Sequence, residues 1–138
     1  MALPLINNND VIQVLENTIT KTTPRIEISN EYPSDDTIIR YGIFVSDVST
    51  VDKTPYQLGA QYSGSIYTVT DTFEVLYVSI QNDKNTNDVT NAIQNLSSNL
   101  QLLDGYHEMD FVQDVVLGNR SEKRTYTFTL KRLEFVTP

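Results

Sequence analysis

The sequence predicts an α+β domain in the order α-β-β-β-α-β-β, with two helices packed on one face of a mostly antiparallel sheet. Two observations carry this. Two separated segments place apolar residues at helical spacing, while the segments between and after them alternate with a period of two. Runs of Pro, Gly, Asn, Asp and Ser fall between these segments, where turns belong. The 138 residues fit one domain spanning 1–138, with one long loop at 48–64.

The first helix is expected from Asn9 to about Thr20. Val11, Ile12, Leu15 and Ile19 share a face, Asn8 or Asn9 can cap it, and Asp10 suits the positive end of its dipole. Thr23 before Pro24 ends it. Arg25 to about Tyr32 alternates Ile26 and Ile28 with Glu27 and Ser29, a first strand, followed by a turn at Tyr32–Asp36. Ile38 to Asp47 is a second strand, with Ile39, Tyr41, Ile43 and Val45 on one face and Gly42 marking a bulge or a close approach.

Val48–Gly64 has no sustained period and holds Pro55, Gly59 and Gly64 among Ser and Thr residues. Loops this long are usually functional or disordered. Tyr56, Leu58 and Tyr62 are its candidate contact anchors. Ser65 to Gln81 forms a long third strand, with Tyr67, Val69, Phe73 and Val75 against Thr68, Thr70, Thr72 and Glu74. Val75–Val78 is apolar on both faces, which implies a bulge or a strand covered on both sides.

A second helix begins at Thr86 or Asn87 and ends near Asp104. Its stripe is Val89, Ile93, Leu96, Leu100 and Leu103, with Gly105 as the residue that stops it. Tyr106–Leu117 and Glu122–Val136 are two strands joined at Gly118–Ser121, the second with Tyr126, Phe128 and Leu130 on one face.

Composition narrows the chemistry. The chain has no Cys, no Trp and one His, which rules out a disulfide framework, a zinc–thiolate site and a Cys nucleophile. Asp83–Asp88 imitates the start of a calcium loop, but the sixth position is Asp88 rather than Gly and the twelfth is Gln94 rather than Glu. A turn with helix-capping side chains explains it better. Glu108 and Asp110 share a strand face and His107 stands beside them, yet nothing converges on them as acid and base. No phosphate-binding or nucleophile-elbow motif is present. We therefore expect no enzyme activity, no cofactor and no metal. The N-terminal residues lack the basic start of a signal peptide, and no apolar run approaches the roughly 18 residues that span a bilayer. The expectation is a soluble chain made in the cytoplasm, without membrane contact.

The net charge is −8, which opposes nucleic-acid binding over most of the surface. The charge is unevenly spread. Residues 120–138 carry five basic and two acidic side chains, a net +3 that leaves −11 for the rest. Arg120, Lys123 and Arg124 are thus candidate interface residues that could meet an acidic neighbour in a head-to-tail ring. A solvated strand face is the alternative reading.

The order from the Asn9–Thr20 helix through the Val48–Gly64 loop and the Asp88–Leu103 helix to the Arg124–Phe135 strand resembles the tail terminator and neck (head–tail joining) proteins of long-tailed bacteriophages. That resemblance implies a structural virion protein, made in the host cytoplasm. It would form a homo-oligomeric ring of six subunits that caps the tail tube. Its partners would be copies of itself, the tail tube protein and the head–tail connector protein, and DNA would pass through without specific binding. A negatively charged lumen would repel phosphates. Two other classes stay open: a binding or adaptor module acting as monomer or dimer, and a hydrolase using Glu108 and Asp110.

Overall fold

The computed structural model describes residues 4–19, 26–32, 41–56 and 65–136. Its elements are α1 (Asn8–Ile19), β1 (Ile28–Ser29), β2 (Gly42–Val45), β3 (Ser49–Pro55), β4 (Ser65–Ile80) and α2 (Thr86–Gln94). A 3-10 turn (Asn95–Ser98), α3 (Leu100–Leu103), β5 (Glu108–Leu117) and β6 (Ser121–Val136) complete the set. The sheet runs β1-β2-β4-β6-β5, with β3 also on β4.

This corrects the expected fold class and order. The observed order is α-β-β-β-β-α-β-β, the chain is mostly sheet, and the sheet is mixed because β1 runs parallel to β2. The additional strand, β3, lies inside the segment expected to be a loop. It was invisible to periodicity because nearly all its residues are exposed, so no apolar face marks it. Backbone pairing to β4 holds it instead, from Ser49↔Thr72 to Pro55↔Tyr67.

β2 and β3 together behave as one bent partner strand for β4. β2 pairs through Val45↔Val75 and β3 resumes at Ser49↔Thr72 with one residue extra, then slips again between Thr50 and Asp52. At the first break the Ser46 N–H donates to the Glu74 carbonyl at 2.9 Å, and the Glu74 N–H donates to Ser46 Oγ at 2.7 Å. The ladder is thus kept satisfied through the bulge. On its other side β4 pairs with β6 over all 16 residues without a slip.

The α1 start is capped by Asn7, one residue earlier than expected. The Asp10 N–H donates to Asn7 Oδ1 at 3.0 Å and the Asn7 N–H donates to Asp10 Oδ2 at 2.9 Å, a reciprocal capping box. Asn8 is buried and donates to Asp47 Oδ1 at 3.1 Å, tying α1 to the β2–β3 corner. The expected second helix is broken. Asn99 is extended at ψ 113°, which divides it into α2, the 3-10 turn and the short α3, while Val89, Ile93 and Leu96 keep facing the core.

The core joins Val11, Leu15 and Ile19 of α1 and Ile93 and Leu96 to the inner face of the sheet. Phe73 and Phe128 stack there at 4.8 Å between ring centroids. Gly42 has φ 147°, and a Cβ there would meet the Glu27 carbonyl oxygen at 2.9 Å, so close approach of β1 requires glycine.

Candidate functional site

Alternation along an unslipped ladder decides which side chains reach which face. On β4 the odd-numbered residues and on β6 the even-numbered ones point to the helices. Tyr126, Phe128 and Leu130 obey this and are buried. Two residues further on, the inner position is Arg132, and opposite Leu130 on β4 it is Asp71. Both are charged and buried, at 3% and 0% exposure.

They are held by a compact network. Arg132 Nε donates to Asp71 Oδ2 at 2.9 Å, the Tyr106 hydroxyl donates to the same oxygen at 2.6 Å, and Thr50 Oγ1 donates to Asp71 Oδ1 at 2.6 Å. The Leu5 N–H donates to the Tyr106 hydroxyl at 3.0 Å. The network thus links β3, β4, β6, the connection between α3 and β5, and the segment before α1. Burial pushes the Tyr106 hydroxyl pKa well above its ordinary value, and the hydrogen bond to Asp71 adds to the rise. Burial works against the charge on Arg132, and the Asp71 carboxylate more than offsets it, so the guanidinium pKa is raised. Both Asp71 oxygens accept from protein donors, whereas Arg132 Nη2 is buried without a partner; removing either member of such a pair strands a buried charge.

The same phase forces Leu133 and Phe135 onto the outer face. Across the ladder Phe135 faces Ile66 and Leu133 faces Thr68. The Tyr56 N–H donates to the Ile66 carbonyl at 2.7 Å, continuing the β3 register. Tyr56, Ile66 and Phe135 therefore form a row across three strands, with Leu133 and Thr68 in the next row. Phe135 is 63% exposed, Tyr56 50% and Leu133 40%. The centre of this face is a threonine band, Thr70 and Thr72 beside Thr125, Thr127 and Thr129. At the far end Phe44, Leu76 and Val78 cluster under Tyr32. The Phe44–Leu76–Val78 group is thus covered, with Ile80 beyond it 52% exposed, and the Tyr56–Phe135 row is open.

Of the six candidate interface residues, Tyr56 joins this open row. Leu58 and Tyr62 lie outside the described residues. The three basic candidates do not form a patch. Lys123 is on the outer face, where it opposes Val78. Arg124 points inward and is mostly buried, its Nη1 2.7 Å from Glu122 Oε2. Arg120 sits at the hairpin tip with φ 70°. Ile66, Leu133 and Phe135 stand outside the sequence-predicted set. Counting by twos from Leu130 would have found the last two, since it lands on Arg132 and Glu134 and sends Leu133 and Phe135 to the opposite face.

A cavity of about 480 Å³ lies beside the end of β4, lined by Glu27, Tyr41, Tyr77, Ser79, Asp83 and Asn85 among others. Burial raises the Tyr77 pKa, with the Thr86 and Ser79 hydroxyls beside it acting in the opposite direction. The wall has hydroxyls, carboxylates and an amide but no His or Cys that could serve as base or nucleophile. Asp83 Oδ1 accepts the Asn85 N–H at 2.9 Å ahead of α2, an Asx turn at the place where the sequence imitates a calcium loop. Among the described residues, no group of three or more His, Asp or Glu side chains stands close enough to hold a metal ion. Glu108 and Asp110 are exposed on β5, and Glu108 pairs with Lys131 at 3.4 Å.

Comparison of the chain with models of known protein families and with curated proteins finds no match.

Proposed function

We propose that this chain is a structural virion protein, a tail terminator or neck subunit that assembles with copies of itself into a ring at the end of a tail tube and works by contact rather than catalysis. Six subunits, a tube protein on one side and a head–tail connector on the other are the partners this reading entails, with DNA passing through the centre. The observation that carries the reading is the open outer row of Tyr56, Ile66, Leu133 and Phe135. Large apolar side chains grouped on one exposed end of a sheet mark contact surfaces, and aromatic residues supply much of the energy at interfaces. The net charge of −8 is compatible with a lumen that does not grip DNA.

The subunit contact is assigned to this row and not to the basic residues of the last hairpin, because Arg124 is already engaged with Glu122 inside the fold. The test is the mass of the purified chain alone and after mixing with tail tube protein, together with its position in assembled particles. The reading expects a symmetric ring at the tube end. A chain found as an isolated monomer away from any symmetric assembly overturns it.

A further inference from the structure

The two borders of the sheet are built differently. One border is shared by the two-residue β1, on β2, and by β3, on β4; β3 carries Lys53, ends at Pro55 and is bulged, devices that discourage strand addition. β5 forms the other border. It is ten residues long, pairs without a slip to β6 and contains no Lys, Arg, Pro or Gly. Its side chains are unusually apolar for an exposed border: Val112 is 73% exposed, Leu117 67% and Val116 55%. On its inner face Gln94 Nε2 donates to Gln113 Oε1 at 3.4 Å, while the strand beyond Phe111 stays exposed.

We infer that β5 pairs antiparallel with β5 of a second copy across a two-fold axis at Gln113, forming a dimer of the free protein with one continuous sheet. Register is the argument. An antiparallel two-fold contact that keeps both helical layers on the same side must place a residue opposite its own copy, and only Val112 or Gln113 at the axis lets nearly all of β5 pair. An axis at Val112 sets Asp110 opposite the Asp114 of the other copy, twice, which is repulsive. An axis at Gln113 removes that clash. Asp110 then faces Val116 and Asp114 faces Val112, while on the inner face Phe111 meets Val115 and Met109 meets Leu117. Every acidic residue of the strand is kept from its like, and the exposed valines and Leu117 gain apolar neighbours. The contact is isologous and closes at two, since the opposite border offers only the two-residue β1 and the blunted β3.

This contact is independent of the ring reading, because it uses β5 rather than the Tyr56–Phe135 row. The two also respond differently to salt. Each copy carries −8, so added salt screens the repulsion between them and should tighten the dimer.

The experiment exploits the absence of cysteine. Gln113→Cys, Val112→Cys and Asp114→Cys are each oxidised with diamide and run on a non-reducing gel, beside solution masses of the unmodified chain over a concentration and salt series. Directly opposed Cα atoms in an antiparallel pair lie about 4.5–5.5 Å apart, within disulfide reach. We expect a concentration-dependent dimer that strengthens with salt, and rapid cross-linking of Gln113→Cys only. Val112→Lys, which would face Asp114 of the other copy, should tighten the dimer, whereas Val115→Glu, set against Phe111, should abolish it while the monomer stays folded by circular dichroism. A chain that remains monomeric to its solubility limit overturns the inference. So does a dimer in which Gln113→Cys cross-links no faster than its neighbours, or one weakened by Val112→Lys.

Discussion

The two faces of the β4–β6 ribbon are made from the same 32 residues and have opposite chemistry. The inner face is closed: Phe73 stacks on Phe128, helices cover both, and the two charged residues that intrude, Asp71 and Arg132, pair with one another at 2.9 Å while Arg132 Nη2 stays without a partner. The outer face is a threonine band with one apolar end covered by Tyr32 and the other left open. The difference teaches that the hydrophobic phase of β6 shifts by one residue after Leu130 while its register on β4 does not. A bulge would have returned Leu133 to the core. Without one, the sequence buries an arginine and exposes a phenylalanine.

The sharpest way to break the comparison is at the buried pair. Asp71→Ala leaves the Arg132 guanidinium buried without its carboxylate, which should cost about 3–5 kcal/mol. Urea unfolding reads this directly, and a loss below about 1 kcal/mol would mean that the pair behaves like a surface contact.

Matched phenylalanines sharpen the contrast. Phe128→Ala removes a stacked core ring and should cost about 3–5 kcal/mol. Phe135→Ala, seven residues along the same strand but on the open face, should stay within about 0.5 kcal/mol. Similar losses at the two sites would show that the outer row is packed within the monomer.

Tyr106→Phe is expected to be milder, about 1–2 kcal/mol, since it deprives the Leu5 N–H of its acceptor and Asp71 of one donor. It also has a pH signature. Burial raises the pKa of Tyr106, Tyr77 and Tyr126 above the ordinary 10.0. A raised folded-state value means the native chain holds its proton more tightly. The contribution is therefore complete below pH 10 and is lost as pH climbs from there through the folded-state values, while the unfolded chain ionises first. Melting temperatures between about pH 9 and 11 should fall for the native sequence and fall less steeply for Tyr106→Phe.

Much of the framework was readable from sequence because apolar periodicity reports burial. α1, β4 and the Tyr126–Phe128–Leu130 face all declare themselves this way, and Gly105, at φ 83°, stands where the α3 exit needs left-handed backbone. What periodicity cannot report is a strand with no buried face. β3 is held by main-chain bonds to β4, so Ser49–Pro55 reads as loop. The parallel β1–β2 pairing involves two residues on each side and depends on tertiary proximity alone. The basic triplet is divided for a geometric reason: neighbouring residues on a strand point to opposite faces, so Lys123 and Arg124 stand on different sides of the sheet. Tyr56 was identifiable as exposed, but its companions came from strands whose register no local pattern specifies.

The smallest expected effect on the monomer is also the most telling for function. Leu133→Ser combined with Phe135→Ser should leave the melting curve almost unchanged, each within about 0.5 kcal/mol, while removing the open apolar row. The direct test of the central claim is the mass of the assembly formed with tail tube protein by this double variant and by the native chain. The account predicts a symmetric ring for the native chain and none for the folded variant. A variant that assembles as the native chain does would contradict the assignment of subunit contact to the outer face.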